Sequence, residues 1–266
     1  MTQQAQPRVL FIAGLTHSGT TLLDVLLSRH PNVVGLGEVR LVIGPRSPKL
    51  YEEDRRCTCG SLMSGCPFWS VVRTRLVDEK PPDIRARYEI VFDTFVRVFG
   101  SSAWMADASK SRRALADLVA TGAPVRVVHL ARDVRGWIAS RHTTEQLGRR
   151  SALYLSMTWY RENRSFERFI RERELPSLPV LYDELCLNPR QQLDRIFDFM
   201  ELPPFAEDHA MPKHHISSGN LGVRRAELHE VRYDHRWFRR SNWLLPMLLL
   251  PRVRRYNHRL YDRTNA

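Results

Sequence analysis

The sequence has few cysteines, modest glycine and proline, and no long apolar run. Four cysteines in 266 residues are too few for a disulfide scaffold, so a reducing cytoplasm is expected. The 13 glycines and 16 prolines exclude a collagen-like or low-complexity chain. No apolar stretch approaches the ~18 residues that span a bilayer, and the polar start over residues 1–7 does not resemble a signal peptide. What remains is ordinary globular composition.

The charge is strongly one-sided. Lys and Arg number 41 against 29 Asp and Glu, which gives a formal net charge of +12 and an isoelectric point of about 10.1. Such an excess favours polyanionic partners: nucleic acid, an anionic membrane face, or a phosphorylated or sulfated small molecule. Solubility alone is the plain alternative. Nucleic acid is disfavoured, because the informative arginines stand at predicted strand ends and do not form a face interleaved with aromatics.

Short apolar runs alternate with segments of helical periodicity. Strands separated by helices of ten or more residues predict an α/β fold with three αβα layers and a mostly parallel central sheet. We expect a single domain over residues 1–266, with a Cys-containing loop insertion at about 44–68 and a basic, apolar C-terminal extension at about 226–266. The predicted strands are 9–13, 33–36, 103–106, 125–131 and 178–182. The predicted helices are 19–29, 83–99, 109–121, 134–147, 152–174 and 189–200.

The first predicted strand runs into the loop GLTHSGTT, which begins at Gly14, and then into a helix. Backbone N–H groups at a helix N-terminus, with glycines that let the backbone wrap closely, form an anion cradle of the P-loop type. A nucleotide-hydrolysing P-loop has Lys after its second glycine, and here that position is Thr20. The loop therefore predicts phosphate binding but argues against ATP or GTP chemistry.

The run HSGTTLL resembles the 5′-phosphosulfate loop of sulfotransferases that use 3′-phosphoadenosine 5′-phosphosulfate (PAPS). The resemblance is to the bacterial and tyrosylprotein-type branch more than to the cytosolic steroid and phenol enzymes. It implies sulfuryl transfer by in-line displacement to an acceptor hydroxyl of a carbohydrate, lipid or natural product, with 3′,5′-ADP (PAP) as product and no metal required. The loop residues it assigns to the donor are His17, Ser18, Gly19, Thr20 and Thr21. His17 replaces the family's Arg or Lys, and when protonated could supply the same charge.

A second anion site is predicted after the fourth strand. Arg132 ends the strand and Ser140 follows eight residues later, a spacing at which both can reach one phosphate. In sulfotransferases this pair binds the 3′-phosphate; the alternative for Arg132 is a surface ion pair with Asp133 or with a helix carboxylate. The later glycine-bearing stretch resembles the family's loop over the adenosine, which implies roles for Asn220 and Arg224.

The candidate catalytic base is Glu38, which follows the second strand, where an open α/β sheet presents its ligand crevice. The resemblance supports it through the pair Glu38 and Arg40, although a surface ion pair between these two would explain the same pattern. His30 is the rival base. The resemblance implies that Lys110 and His17 are the cations near the transferring group, and an exposed lysine in a first helical turn is the alternative for Lys110.

Cysteine usage leaves three alternatives open. Cys57, Cys59 and Cys66 cluster in the long loop, and they fit free thiols, a disulfide or a metal site. Three ligands fall short of a structural zinc set, and Cys186 is distant in sequence.

The chain end also leaves two alternatives open. The apolar run 243–250, flanked by arginines, fits either a helix packed on the domain or peripheral contact with an anionic membrane.

A P-loop nucleotide or small-molecule kinase remains the alternative function.

Overall fold

A five-stranded parallel sheet forms the centre of the computed structural model, which describes residues 6–45, 55–144, 152–204, 214–218 and 231–264. The strands lie side by side in the order β2-β3-β1-β4-β5, and every neighbouring pair is parallel. Their bounds are β1 (Arg8–Ala13), β2 (Val33–Gly35), β3 (Trp104–Asp107), β4 (Val125–Ala131) and β5 (Ser177–Leu181). The predicted α/β class and parallel sheet are confirmed.

The strand order places β1 between β3 and β4. In register, Phe11 lies opposite Asp107 on one side and Val127 on the other. The chain leaves β1 for the edge strand β2, returns to β3, and only then crosses to the far side. The carboxyl end of β1 is therefore the point where the connections diverge, the usual place for a ligand crevice in such sheets.

Helices cover both faces of the sheet. They are α1 (Thr20–Leu27), α2 (Val39–Ile43), α3 (Trp69–Asp78), α4 (Ile84–Phe99), α5 (Arg112–Val119), α6 (Val134–Thr144), α7 (Ala152–Glu172), α8 (Tyr182–Leu187), α9 (Pro189–Phe199), α10 (Leu244–Leu249) and α11 (Pro251–Thr264). Short 3-10 turns occur at Met63–Gly65 and Arg236–Arg239. Two helices begin at a residue whose side chain caps them. Asp83, before α4, accepts a hydrogen bond from the Ala86 N–H, and Ser111, before α5, accepts one from the Ala114 N–H.

The core follows the two-residue period of β1. Phe11 faces a cluster with α3, α4 and α5, whereas Leu10 and Ile12 face α1 and α9 on the opposite side. Because both faces of the strand are covered, its side chains form an unbroken apolar run. This is the three-layer αβα arrangement expected from the sequence.

Several predicted boundaries need correction. The sequence analysis missed the three helices α2, α3 and α8. The helix predicted from residue 109 begins at Arg112, because Ser111 caps it. Tyr182, expected as the last strand residue, is the first residue of α8. The part of the predicted helix 134–147 beyond Thr144 lies outside the described residues.

The chain end packs against the domain through α11. Val253 and Tyr256 are buried beside Trp137 and Trp159. The preceding helix α10 differs, since four of its leucines are 47–70% exposed: Leu244, Leu245, Leu248 and Leu249. In the part of the chain that the structure describes, no helix is both long and apolar enough to cross a membrane. Peripheral membrane contact through this segment stays a prediction.

Candidate active site

The loop after β1 has the shape of an anion cradle. Gly19 has a φ of +93°, and a Cβ there would run into the ring of Tyr182. Gly14 is equally constrained, because a Cβ would lie 2.7 Å from the Leu130 carbonyl oxygen. His17 also has a positive φ, of 72°. The loop therefore bends tightly against β4 and α8.

A buried hydroxyl in this loop is unsatisfied. Ser18 is fully buried, and its Oγ finds no hydrogen-bond partner among the described residues. The adjoining helix α1 starts at Thr20 with Gly19 at its N-cap, which supplies no capping side chain. Thr20 and Thr21 are buried in the first turn. A buried orphan hydroxyl beside an uncapped helix start fits a bound oxyanion.

Arg132 lies at the end of β4, as predicted, but it already has partners. Its guanidinium donates to the His17 carbonyl oxygen at 3.0 Å and to Asp234 Oδ2 at 2.8 Å. It also stacks over the Tyr182 ring, 4.4 Å from the centroid. The predicted alternative named Asp133 or a helix carboxylate; Arg132 does form an ion pair, but with Asp234, which precedes the 3-10 turn Arg236–Arg239.

Asp133 is occupied by a different arginine. Its carboxylate is held by both nitrogens of the Arg135 fork, at 2.7 and 2.8 Å, and by Asn257 and Tyr261 of α11. The C-terminal helix thereby supports the start of α6, which carries Ser140. The Ser140 Oγ lies 3.4 Å from His17 Nδ1, so the two predicted anion loops meet at these side chains.

Asp234 was missed by the sequence analysis. Burial alone would raise the pKa of its carboxyl, but hydrogen bonds from Arg236 and Arg132 outweigh burial and hold that pKa well below its usual range. It is therefore a permanent anion against Arg132. It lies 102 residues downstream of that arginine, and no local motif marks it.

The third part of the site is an ion pair between two predicted catalytic residues. Lys110 Nζ donates to Glu38 Oε1 at 2.8 Å, with both side chains largely buried. Arg40 does not pair with Glu38, as the surface alternative required; it pairs with Asp117 at 2.7 Å. The loops after β2 and β3 thus present one carboxylate and one ammonium at the edge that carries the phosphate loop.

Two buried carboxyl groups hold these loops in place. The Asp107 carboxylate accepts hydrogen bonds from Ser109 and Tyr88, and burial raises its pKa to about 7. Asp24, in α1, accepts a hydrogen bond from the Gly37 N–H, and burial raises its pKa well above the usual range. Both are supports beneath Glu38 and Lys110 and were not predicted.

His30, the rival base, is elsewhere. It follows the far end of α1 from the phosphate loop, where its ring contacts the Asn32 N–H, the Pro203 carbonyl and Phe197. Burial lowers its pKa. Glu38 is thus the candidate base that lies in the crevice. Asn220 and Arg224 lie outside the described residues.

Solved structures with the same fold are sulfotransferase domains. The domain of the olefin synthase from Synechococcus PCC 7002 is 19% identical, with a TM-score of 0.56, over 85% of this chain and 86% of that one. The domain from the curacin biosynthetic pathway is 17% identical, with a TM-score of 0.57, over 96% and 98%. No curated protein sequence matches the chain.

At these identities the structures establish the shared fold. The family assignment comes from the sequence, because the sequence model of the sulfotransferase family matches residues 7–207. That match spans the phosphate loop, Glu38, Lys110, Arg132 and Ser140. The chain belongs to the sulfotransferase family.

Proposed function

We propose that this protein transfers a sulfuryl group from PAPS to an acceptor hydroxyl, with Glu38 as the base. The observation that carries the proposal is an anion cradle with an orphaned hydroxyl, Ser18, after β1, together with the Glu38–Lys110 ion pair in the loops after the neighbouring strands β2 and β3. Sulfuryl transfer resembles phosphoryl transfer, in which positioning and charge stabilisation provide most of the catalysis. The site offers both.

The residues present fit a nucleotide with two anionic ends. The loop of His17, Ser18 and Gly19, with the first turn of α1, would hold the 5′-phosphosulfate, and the Ser18 hydroxyl would gain the partner that it lacks. Arg132 and Ser140 would hold the 3′-phosphate. Since Asp234 occupies part of the Arg132 guanidinium, a phosphate must share that guanidinium or displace the carboxylate. When bound, the donor supplies an activated sulfuryl group.

The remaining chemistry belongs to side chains of the chain. Glu38 Oε atoms would accept the proton of the acceptor hydroxyl as its oxygen becomes a nucleophile. Lys110 fixes the orientation of that carboxylate through its ion pair. An ammonium carries three N–H donors, so Lys110 can keep Glu38 and also donate to an oxygen of the leaving phosphate. The Lys110 backbone lies in the left-handed region, with a φ of 46°.

A P-loop kinase is less well supported. The lysine that would bridge phosphates is replaced by Thr20, which is buried in the helix start. The carboxylate nearest the end of β4, Asp133, is saturated by Arg135, Asn257 and Tyr261 and is not available to hold magnesium. The acceptor class, whether sugar, lipid or natural product, is a matter for screening.

Ligand-dependent melting separates the two functions. We expect 3′,5′-ADP without magnesium to raise Tm by several degrees, because ligand at ~100 times Kd adds about 2.7 kcal/mol. ATP with magnesium should give no comparable shift. Transfer of labelled sulfate from PAPS to a hydroxyl acceptor then tests the reaction itself. A shift with ATP and magnesium alone would contradict the proposal.

A further inference from the structure

The cysteines of the long loop form a compact group with a histidine far away in sequence. One candidate ligand atom from each of four residues lies within 4.8 Å of all the others. We call this group the Cys/His cluster; its members are Cys57, Cys59, Cys66 and His215. All four cysteines of the chain are free thiols, and Cys186 packs in a different core, beside Tyr182. The fourth ligand missing from the sequence pattern is thus His215.

We propose that the Cys/His cluster binds a structural Zn²⁺ ion. The three distances among Cys57, Cys66 and His215 are close to those of a tetrahedron around one ion, and the Cys59 sulfur lies within 4.8 Å of all three. With Zn–S bonds of about 2.3 Å and a Zn–N bond of about 2.05 Å, two sulfurs lie about 3.8 Å apart, and a sulfur and a nitrogen about 3.6 Å apart. Cys57 Sγ and Cys66 Sγ are 3.7 Å apart, and they lie 3.8 and 3.2 Å from His215 Nδ1.

The local backbone is shaped to aim two nearby cysteines at one point. Gly60 follows Cys59 with a φ of +93°, its N–H donates to the Cys57 carbonyl, and the Cys57 N–H donates to Ser61. The result is a tight turn that only glycine adopts without strain. Three thiols and one imidazole form a closed donor set, which is typical of structural and not catalytic zinc.

Neighbouring groups support the ligands from outside. The Trp69 backbone N–H donates to Cys66 Sγ at 3.4 Å, and its indole N–H donates to the His215 carbonyl. The His215 ring packs against Phe68 and Phe99, with centroids 6.1 and 5.3 Å away. Such contacts fix ligand orientation and exclude water. Cys59 alone is exposed, which leaves a path for the ion to enter.

The ion would join the cysteine loop to a second segment, residues 214–218, which contacts the active site. Residues 214–218 pair with Gly35 of β2 and with Thr58 of the cysteine loop. At the end of this segment, Ser218 Oγ accepts a hydrogen bond from the Glu38 N–H. Zinc at the cluster would therefore stabilise the segment 214–218, which contacts Glu38 through Ser218 and directly precedes the predicted adenosine loop in sequence. The ion itself has no role in the transfer step.

Metal analysis of the intact, untagged chain tests the proposal. Protein purified under reducing conditions without chelator should contain about one zinc per chain. Cobalt(II) exchanged into the cluster should give tetrahedral d–d absorption and a thiolate-to-cobalt charge-transfer band. Cys186→Ser is the matched control and should leave zinc content and spectrum unchanged. Cys59→Ser, at the exposed ligand, should weaken zinc retention against a chelator by roughly tenfold or more and reduce the charge-transfer band.

The outcomes distinguish a zinc site from free thiols and from a disulfide. Zinc bound in the wild type and Cys186→Ser but weakened in Cys59→Ser supports the cluster. Absence of stoichiometric zinc together with no cobalt–thiolate band overturns it. A Cys57–Cys66 disulfide found by mass spectrometry in the freshly purified protein also overturns it. Because none of these readouts measures sulfuryl transfer, the result is independent of the proposed function.

Discussion

The two anion-binding loops, after β1 and after β4, are built in opposite ways. The first is made of eight consecutive residues, presents mainly backbone, and contains a buried hydroxyl, Ser18, with no partner in the described chain. The second depends on the side chains of Arg132 and Ser140, and the Arg132 guanidinium is already held by the His17 carbonyl and by Asp234. The first loop is preorganised for an anion, whereas at the second an incoming phosphate must share the guanidinium with Asp234 or displace that carboxylate.

The difference shows where each loop gets its selectivity. A backbone cradle accepts any oxyanion of suitable size. An arginine that is neutralised by a half-buried carboxylate gains only from an anion that interacts with it more strongly than Asp234 does. We therefore expect the β1 loop to supply binding in general and the β4 loop to discriminate nucleotides with a 3′-phosphate.

Glu38→Gln should have the largest effect, and it should leave both anion loops intact. The amide keeps the shape but cannot accept a proton, so kcat should fall by roughly a hundredfold or more while 3′,5′-ADP affinity stays near normal. Steady-state kinetics with calorimetric binding measures both. Glu79→Gln, in a surface pair with Arg75, is the control. Retained turnover would contradict Glu38 as the base.

Arg132→Ala tests whether the β4 loop selects the 3′-phosphate. Loss of a charge-assisted fork should weaken 3′,5′-ADP binding on the order of a hundredfold, or about 2.7 kcal/mol, and change 5′-AMP binding little. Titration calorimetry with both nucleotides gives the comparison. Arg132→Lys, which keeps the charge but not the fork, should fall between. Equal losses for the two nucleotides would remove the distinction between the loops.

The strands and the first loop could be predicted because their signals are local. An apolar run such as 125–131, and a glycine pair around a helix start, are complete within a dozen residues, and β4 has the predicted bounds. The partners of the charged residues could not be predicted in this way. Asp234 reaches Arg132 and His215 reaches Cys66 across more than a hundred residues, and only the assembled fold brings them together.

Asp234→Asn should strengthen 3′,5′-ADP binding at the β4 loop, which is the opposite of the effect expected for Arg132→Ala. Asparagine retains an oxygen for the Arg132 hydrogen bond but removes the competing charge, so 3′,5′-ADP should bind roughly threefold to tenfold more tightly, with little change for 5′-AMP. The matched control is Asp194→Asn, which changes net charge equally at an exposed pair with Arg190. Weaker binding of 3′,5′-ADP would mean that Asp234 serves to position Arg132.

His17 joins the two loops, and its substitutions should have the smallest effect. Arg132 contacts its backbone carbonyl, which every variant keeps, so His17→Asn should hold 3′,5′-ADP affinity within about threefold. Asn is the appropriate neutral replacement because it tolerates the left-handed φ of 72°. A charge on the imidazole, if used, is lost as pH rises, whereas Arg keeps it. At saturating PAPS we therefore expect wild-type activity to fall at alkaline pH and His17→Arg activity to persist. Superimposable alkaline limbs would show that the His17 side chain contributes no charge and that Lys110 supplies positive charge at the leaving group.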